Sequence, residues 1–156
     1  MGKSIRERIN SALKIAIKAQ DKPRISTLRL MNAAIKDRDI QGRANGHDKV
    51  SSDDQVLDVL ARMVRQCRDS LRIYREAGRI DLVEREQREI DVIEEFLPRQ
   101  LSPDECDTAV RSLIDELAAR GLKDMGRVMG ALKERYAGRM DFARAGAAAR
   151  AVLSHD

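Results

Sequence analysis

From Ile5 to Leu153 the apolar residues of this chain recur every three or four positions, and no strand-like alternation with polar residues survives anywhere. That spacing is the strongest constraint on the fold. A period near 3.6 buries one stripe of a helix, whereas a half-buried strand repeats every second residue. The expected fold class is therefore all-α. Four aromatic residues, Tyr74, Phe96, Tyr136 and Phe142, leave the core to Ile, Leu, Val, Met and Ala. That palette suits helix-on-helix packing better than a β-sandwich. Charged residues make up 36% of the chain and few loop signals interrupt them, so they read as coats on helix surfaces rather than as disorder.

The first helix is expected over about 3–20, with Ile5, Ile9, Ala12, Leu13, Ala16 and Ile17 on one stripe. Asp21-Lys22-Pro23 breaks it and starts a second, because proline is tolerated in a first turn. The second helix runs to about 39 on Ile25, Leu28, Met31 and Ile35. Residues 41–52 form a polar loop with two glycines. Ser52 with Gln55 forms a capping box for a third helix over about 53–77. Its stripe of Val56, Leu60, Met63, Cys67, Leu71 and Tyr74 comes close to a coiled-coil seam. Gly78 stops it. A fourth helix follows over about 80–96, with Val83, Ile90, Ile93 and Leu97, and should pair antiparallel with the third.

Pro98 and Pro103 mark a boundary, since the residue before each proline is pushed out of helix. Ser102-Pro103-Asp104-Glu105 then reads as an N-cap, a first-turn proline and a closing glutamate. Three shorter helices are expected: about 103–119 ended by Gly121, about 123–136 ended by Gly138, and a last one capped by Asp141. The chain of 156 residues thus divides into a long-helix unit of about four helices at 1–97 and a three-helix unit at 98–156.

The net charge of +4 is unevenly placed. Residues 1–50 hold 12 Lys/Arg against 5 Asp/Glu, residues 51–98 hold 8 against 12, and residues 121–150 hold 7 against 3. Two basic ends flank an acidic middle, and basic surfaces attract polyanions. Arg62, Arg65, Arg68, Arg72 and Arg75 lie along one flank of the third helix. They read first as a solvated face paired with the acidic fourth helix (Glu84, Glu86, Glu89, Asp91, Glu94, Glu95), and only second as a phosphate ladder. The second helix carries Arg24, Arg29, Lys36 and Arg38. The last unit carries Lys123, Arg127, Lys133, Arg135, Arg139 and Arg144 beside Gly126, Gly130 and Gly138. Gly126 and Gly130 share a side of their helix, where a second helix or a phosphate backbone could come close. With so few aromatics, stacking of single-stranded bases is not expected.

Catalytic signatures are missing. His47 falls in the loop, His155 at the tail, and Cys67 and Cys106 are 39 positions apart, so neither a zinc site nor a Cys–His or Ser–His nucleophile is expected. Both cysteines read as small buried hydrophobes of a reduced, cytoplasmic protein. No strand precedes a phosphate-binding glycine loop, and no apolar run reaches the ~18 residues of a membrane span. The start, Met1-Gly2-Lys3-Ser4-Ile5-Arg6, has no signal-peptide core and no hydroxyl at position 6 for myristoylation. No cofactor and no metal are expected.

Three stretches carry a resemblance. Lys123-Asp124-Met125-Gly126-Arg127-Val128-Met129-Gly130-Ala131-Leu132-Lys133, followed by Tyr136-Ala137-Gly138-Arg139-Met140-Asp141, is similar to a signature of the GatB/YqeY family. So are Ser26-Thr27-Leu28-Arg29-Leu30-Met31-Asn32-Ala33-Ala34-Ile35-Lys36 and Ile93-Glu94-Glu95-Phe96-Leu97-Pro98-Arg99-Gln100-Leu101. In order, they cover essentially the whole chain, which resembles the free-standing YqeY-like members. The resemblance implies an all-α fold with an N-terminal helical domain and a three-helix tail. It also implies tRNA association, because the related tail of the GatB subunit of tRNA-dependent amidotransferase is implicated in holding tRNA near its elbow. GatB's catalytic cradle has no counterpart here, so amide transfer does not carry over. The expected function is a non-catalytic tRNA-associated accessory module that grips the RNA backbone through Lys123, Arg127, Lys133 and Arg139, with Arg24, Arg29 and Lys36 as a second set. Two alternatives are a helical protein–protein adaptor using the long helices, and an accessory component of glutamine-dependent tRNA amidation, a carbon–nitrogen ligase reaction.

Overall fold

The computed structural model of the chain describes residues 3–46 and 50–154. His47 and His155, on which the expectation of no histidine site rested, lie outside them. The described residues form seven α-helices and no strand: α1 Ile5–Ala19, α2 Lys22–Ala44, α3 Asp53–Glu76, α4 Ile80–Glu94, α5 Pro103–Leu117, α6 Met125–Arg135 and α7 Phe142–Leu153. The helix starts follow local chemistry. Ser4 accepts from Glu7 N, and Asp21 from Arg24 N with Pro23 in the first turn. Ser52 with Gln55 and Ser102 with Glu105 close reciprocal capping boxes, and Asp141 accepts from Ala143 N and Arg144 N. Each of these satisfies amide groups that a helix start leaves without partners.

Contacts divide the chain into two compact units, one up to Pro98 and one from Arg99 on. In the first, α3 and α4 form a hairpin closed at Gly78, whose φ of 72° suits a residue without Cβ. Ile9 of α1, Leu28, Met31 and Ile35 of α2, Val56 and Leu60 of α3 and Ile93 of α4 are sealed in one core. In the second unit, Val110 of α5, Val128 and Leu132 of α6, Met140, and Ala145 and Ala149 of α7 form another. The two alanines and Leu153 make the buried face of α7, which packs against α5 and α6.

The helix ends depart from expectation in three places. α2 runs on to Ala44, through what reads as loop, because its last turns bring Asp39 and Gly42 inward. Asp39 Oδ1 accepts from Arg6 Nη2 at 2.6 Å and from Ser51 N at 2.8 Å, joining α1, α2 and the lead into α3. α5 stops at Leu117 with Ala118, not Gly121, in the left-handed conformation at φ 53°. Gly121 instead precedes a 3-10 turn, Leu122–Asp124, that leads into α6.

Two stripes also change. Ile17, placed by spacing on the buried face of α1, is 46% exposed. The α3 stripe is wider than a coiled-coil seam: Val59 and Val64 are buried beside Val56, Leu60 and Leu71, and Met63 and Cys67 pack on the same core. Most of this face packs on its own unit, with Met63, Cys67 and Tyr74 half-buried.

Candidate nucleic-acid interface

α6 owes its amphipathic character to Met125, Val128, Met129 and Leu132, which, with Tyr136 at its C-terminal end, pack on the core of the second unit. At 100° per residue, Gly126 and Gly130 turn away from that core and Lys133 lies on the same flank. All three are exposed. A Cβ built on either glycine would meet nothing within 4 Å. Close packing of another helix of this unit is therefore not the reason these glycines are there.

The four expected contacts differ in freedom. Lys133 is exposed and makes no ion pair among the described residues. Lys123 is exposed on the 3-10 turn. Arg127, half exposed, reaches Asp124 Oδ1 at 3.4 Å. Asp124 Oδ2 also accepts from Arg120 N at 2.9 Å. That backbone hydrogen bond, above all, holds the Asp124 carboxyl below its usual range, with Arg127 and Lys123 adding their charge. Arg139 is the least free of the four. It is half-buried, its Nε donates to the Arg99 carbonyl at 3.1 Å, and its guanidinium lies 5.7 Å from the centre of the Tyr136 ring. Its own carbonyl accepts from Leu101 N at 2.8 Å, and Gln100 donates to the Gly138 carbonyl. Arg139 clasps the 99–101 segment to the turn after α6 and is built into the unit.

Arg135 and Arg144 are likewise committed. Arg135 grips both oxygens of Glu116 at 2.6 and 3.0 Å, which lowers the Glu116 carboxyl and raises the guanidinium. Arg144 holds Asp107 at 3.0 Å. Sequence reasoning passed over Arg111, Arg120 and Arg150, whose side chains are exposed and without ion pairs among the described residues of the same unit. Arg111 lines a groove of about 450 Å³ between α5 and α7. For Arg111 and Arg150 the signal available was their position on the polar faces of α5 and α7; Arg120 lies in the turn after α5.

The second set, in the first unit, also splits. Arg24 is bound bidentately to Glu95 at 2.6 and 3.0 Å, and that hydrogen bonding raises its pKa further. It is not free for a phosphate. Arg29 and Lys36 are exposed and without ion pairs among the described residues. On α3 the expected pairing with α4 holds for Arg68, which meets Glu94 at 2.8 Å, while Arg72 turns to Asp69 on its own helix.

One grouping could not be read from spacing. Cys67 of α3 and Glu86 and Glu89 of α4 bring potential ligand atoms within 4.8 Å of one another. The Cys67 Sγ lies 3.6 Å from Glu89 Oε2. Burial, then the hydrogen bonds and charges of Glu86 and Glu89, push the thiol up to about 12. It donates a hydrogen bond to Glu89. Cys106, buried in the other unit, is also pushed up, mainly by burial.

Among the described residues no helix is long and apolar enough to cross a membrane. A family model described as Yqey-like protein matches residues 6–153. Curated relatives bear the name altered inheritance of mitochondria protein 41, mitochondrial. That of Pyrenophora tritici-repentis is 29% identical over 139 residues, covering 82% of this chain and 71% of the relative. That of Lachancea thermotolerans is 32% identical over 107 residues, covering 67% and 55%. That of Saccharomyces cerevisiae is 29% identical over 110 residues, covering 69% and 57%. The chain spans little more than half the length of the last two. The compartment in these names differs from the cytoplasm expected from the sequence.

Proposed function

The chain belongs to the YqeY-like family, and on that premise we propose that it is a non-catalytic accessory module that holds tRNA by its backbone on the outward face of α6. The observation that carries this reading is the bare surface at Gly126 and Gly130, flanked by Lys133 and by Lys123 and Arg127. Glycine inside a helix costs about 0.5–1 kcal/mol against alanine, and among the described residues nothing uses the space gained. A phosphate backbone lying on the helix would use it, and the flanking cations would supply the charge. Arg139 is left out of the contact set because it is committed to Arg99 and Tyr136. The glutamine-dependent amidation reading draws no support from the thiols, both held protonated. A reducing compartment, cytoplasmic or mitochondrial, suits two free cysteines.

The test is binding of a purified tRNA at several salt concentrations. Lys123→Ala/Arg127→Ala/Lys133→Ala should bind more weakly, with a slope of log K against log salt shallower by about 0.7–0.9 for each phosphate no longer neutralised. The weakening should be alike for different tRNAs, because phosphate contacts carry no sequence information. Gly126→Ala/Gly130→Ala should be more stable by about 0.5–1 kcal/mol per site and yet bind less tightly, since each new methyl holds the backbone off. Unchanged affinity and slope in both variants would refute the reading.

A further inference from the structure

α2 presents a second unoccupied surface, which has a different chemistry. Its buried side carries Leu28, Met31 and Ile35. Its outward side is also partly apolar: Leu30 is 48% and Ile40 51% exposed, and Ile17 of α1, 46% exposed, lies by Leu30. Ile17, Ile25 and Leu30, with Lys22, Ser26 and Arg29, line an open groove of about 490 Å³ between the end of α1 and the start of α2. At 100° per residue Arg29, Ala33, Lys36 and Ile40 fall within about 60° of one another, so they form one exposed strip along the helix beyond the groove. From Lys22 to Ile40 this strip is about 27 Å long at about 1.5 Å per residue. Lys22, Arg29 and Lys36 make no ion pair among the described residues, and the only exposed acid of α2 is Asp37.

We propose that this strip docks an acidic amphipathic helix of a partner protein. Two features of the strip select that occupant. Exposed apolar side chains in the groove and further along the strip offer contacts to the apolar face of a helix lying on it. The unpaired cations on its rim match carboxylates flanking those anchors and disfavour a basic helix. A nucleic-acid backbone would use the cations but leave Ile17, Leu30 and Ile40 in water, with no gain from their exposure. The site lies on α1 and α2 and stands independently of the α6 reading.

The probe is a synthetic helix of about 18 residues, long enough for the strip, with leucines three and four apart and glutamates on the flanks. A control copy carries lysines in place of the glutamates. With the full chain, fluorescence anisotropy should show binding of the glutamate helix that weakens with added salt, and at least tenfold weaker binding of the lysine helix. Leu30→Asp and Ile40→Asp, both at exposed positions, should each weaken the glutamate helix at least tenfold while circular dichroism stays helical. Gln66→Asp, the same charge change on α3, should leave binding intact. Failure of the glutamate helix to bind, equal binding of both helices, or indifference to Leu30→Asp and Ile40→Asp overturns the proposal. Binding of an RNA duplex that disappears on Arg29→Ala/Lys36→Ala, with the helix peptides indifferent, overturns it in favour of nucleic acid.

Discussion

A single buried carboxylate organises the first unit. Burial raises the pKa of Asp39, but the hydrogen bonds from Arg6 and Ser51 outweigh it and hold the group at about 2 rather than 3.8. The folded value lies below the ordinary one, so the stabilisation is complete above about pH 4 and is lost as the pH falls toward about 2. Asp39→Asn should lower stability by about 2 kcal/mol at neutral pH, the scale of hydrogen bonds to a charged group. It should also flatten the acid limb of a plot of urea-unfolding free energy against pH. An acid limb as steep as the wild type's would contradict this role. The spacing that carries Leu28, Met31 and Ile35 puts Asp39 on the buried side of α2, but it does not name the partners that let a carboxylate sit there. Those partners stand 33 and 12 positions away, and contacts of that range leave no local trace. Gly126 and Gly130 did leave one, as a spaced pair of small residues, but the sequence could not say whether the space above them was filled.

At the scale of the helices, starts were legible and ends less so. An N-cap is a side-chain hydrogen bond within three residues, so Ser52, Ser102 and Asp141 announce themselves. A stop depends on what the last turn packs against. α2 outruns its glycine because Gly42 is buried, and α5 stops early on an alanine. A left-handed conformation costs a residue with Cβ about 1–2 kcal/mol, and Ala118 is exposed with little packing to give up. Ala118→Gly should therefore raise stability by about 1 kcal/mol in denaturant unfolding, whereas Ser102→Ala at the other end of the same helix should lower it by about 1 kcal/mol. A loss of stability in Ala118→Gly would mean that packing, not backbone strain, fixes that turn.

For the whole molecule, helical period gave the fold class, because amphipathic stripes are written locally. The partner of each stripe is not. The α3 stripe resembled a seam for another chain and packs largely on its own unit, while the outward side of α2, unremarkable in its mixed composition, leaves Leu30 and Ile40 uncovered. We propose that the two units fold independently, since each closes its own apolar core. Residues 99–156 expressed alone should give helical circular dichroism and a cooperative melt, with reduced stability because units of about 60 residues bury a smaller share of their surface. A disordered tail fragment beside a stable full chain would show that the second core depends on the first unit.

The setting of Cys67 between Glu86 and Glu89 has a practical consequence. Maleimides and disulfide reagents attack the thiolate, and a thiol at about 12 is ionised in only about one molecule in 10⁴ at about pH 8. Cys106, buried and also shifted upward, is shielded as well. The natural chain is thus a dark background for site-directed labelling. A cysteine introduced on the open side of α6 or along the α2 groove can carry a dye or spin label with both native thiols left in place, so distances to either proposed ligand become measurable in an otherwise unaltered core.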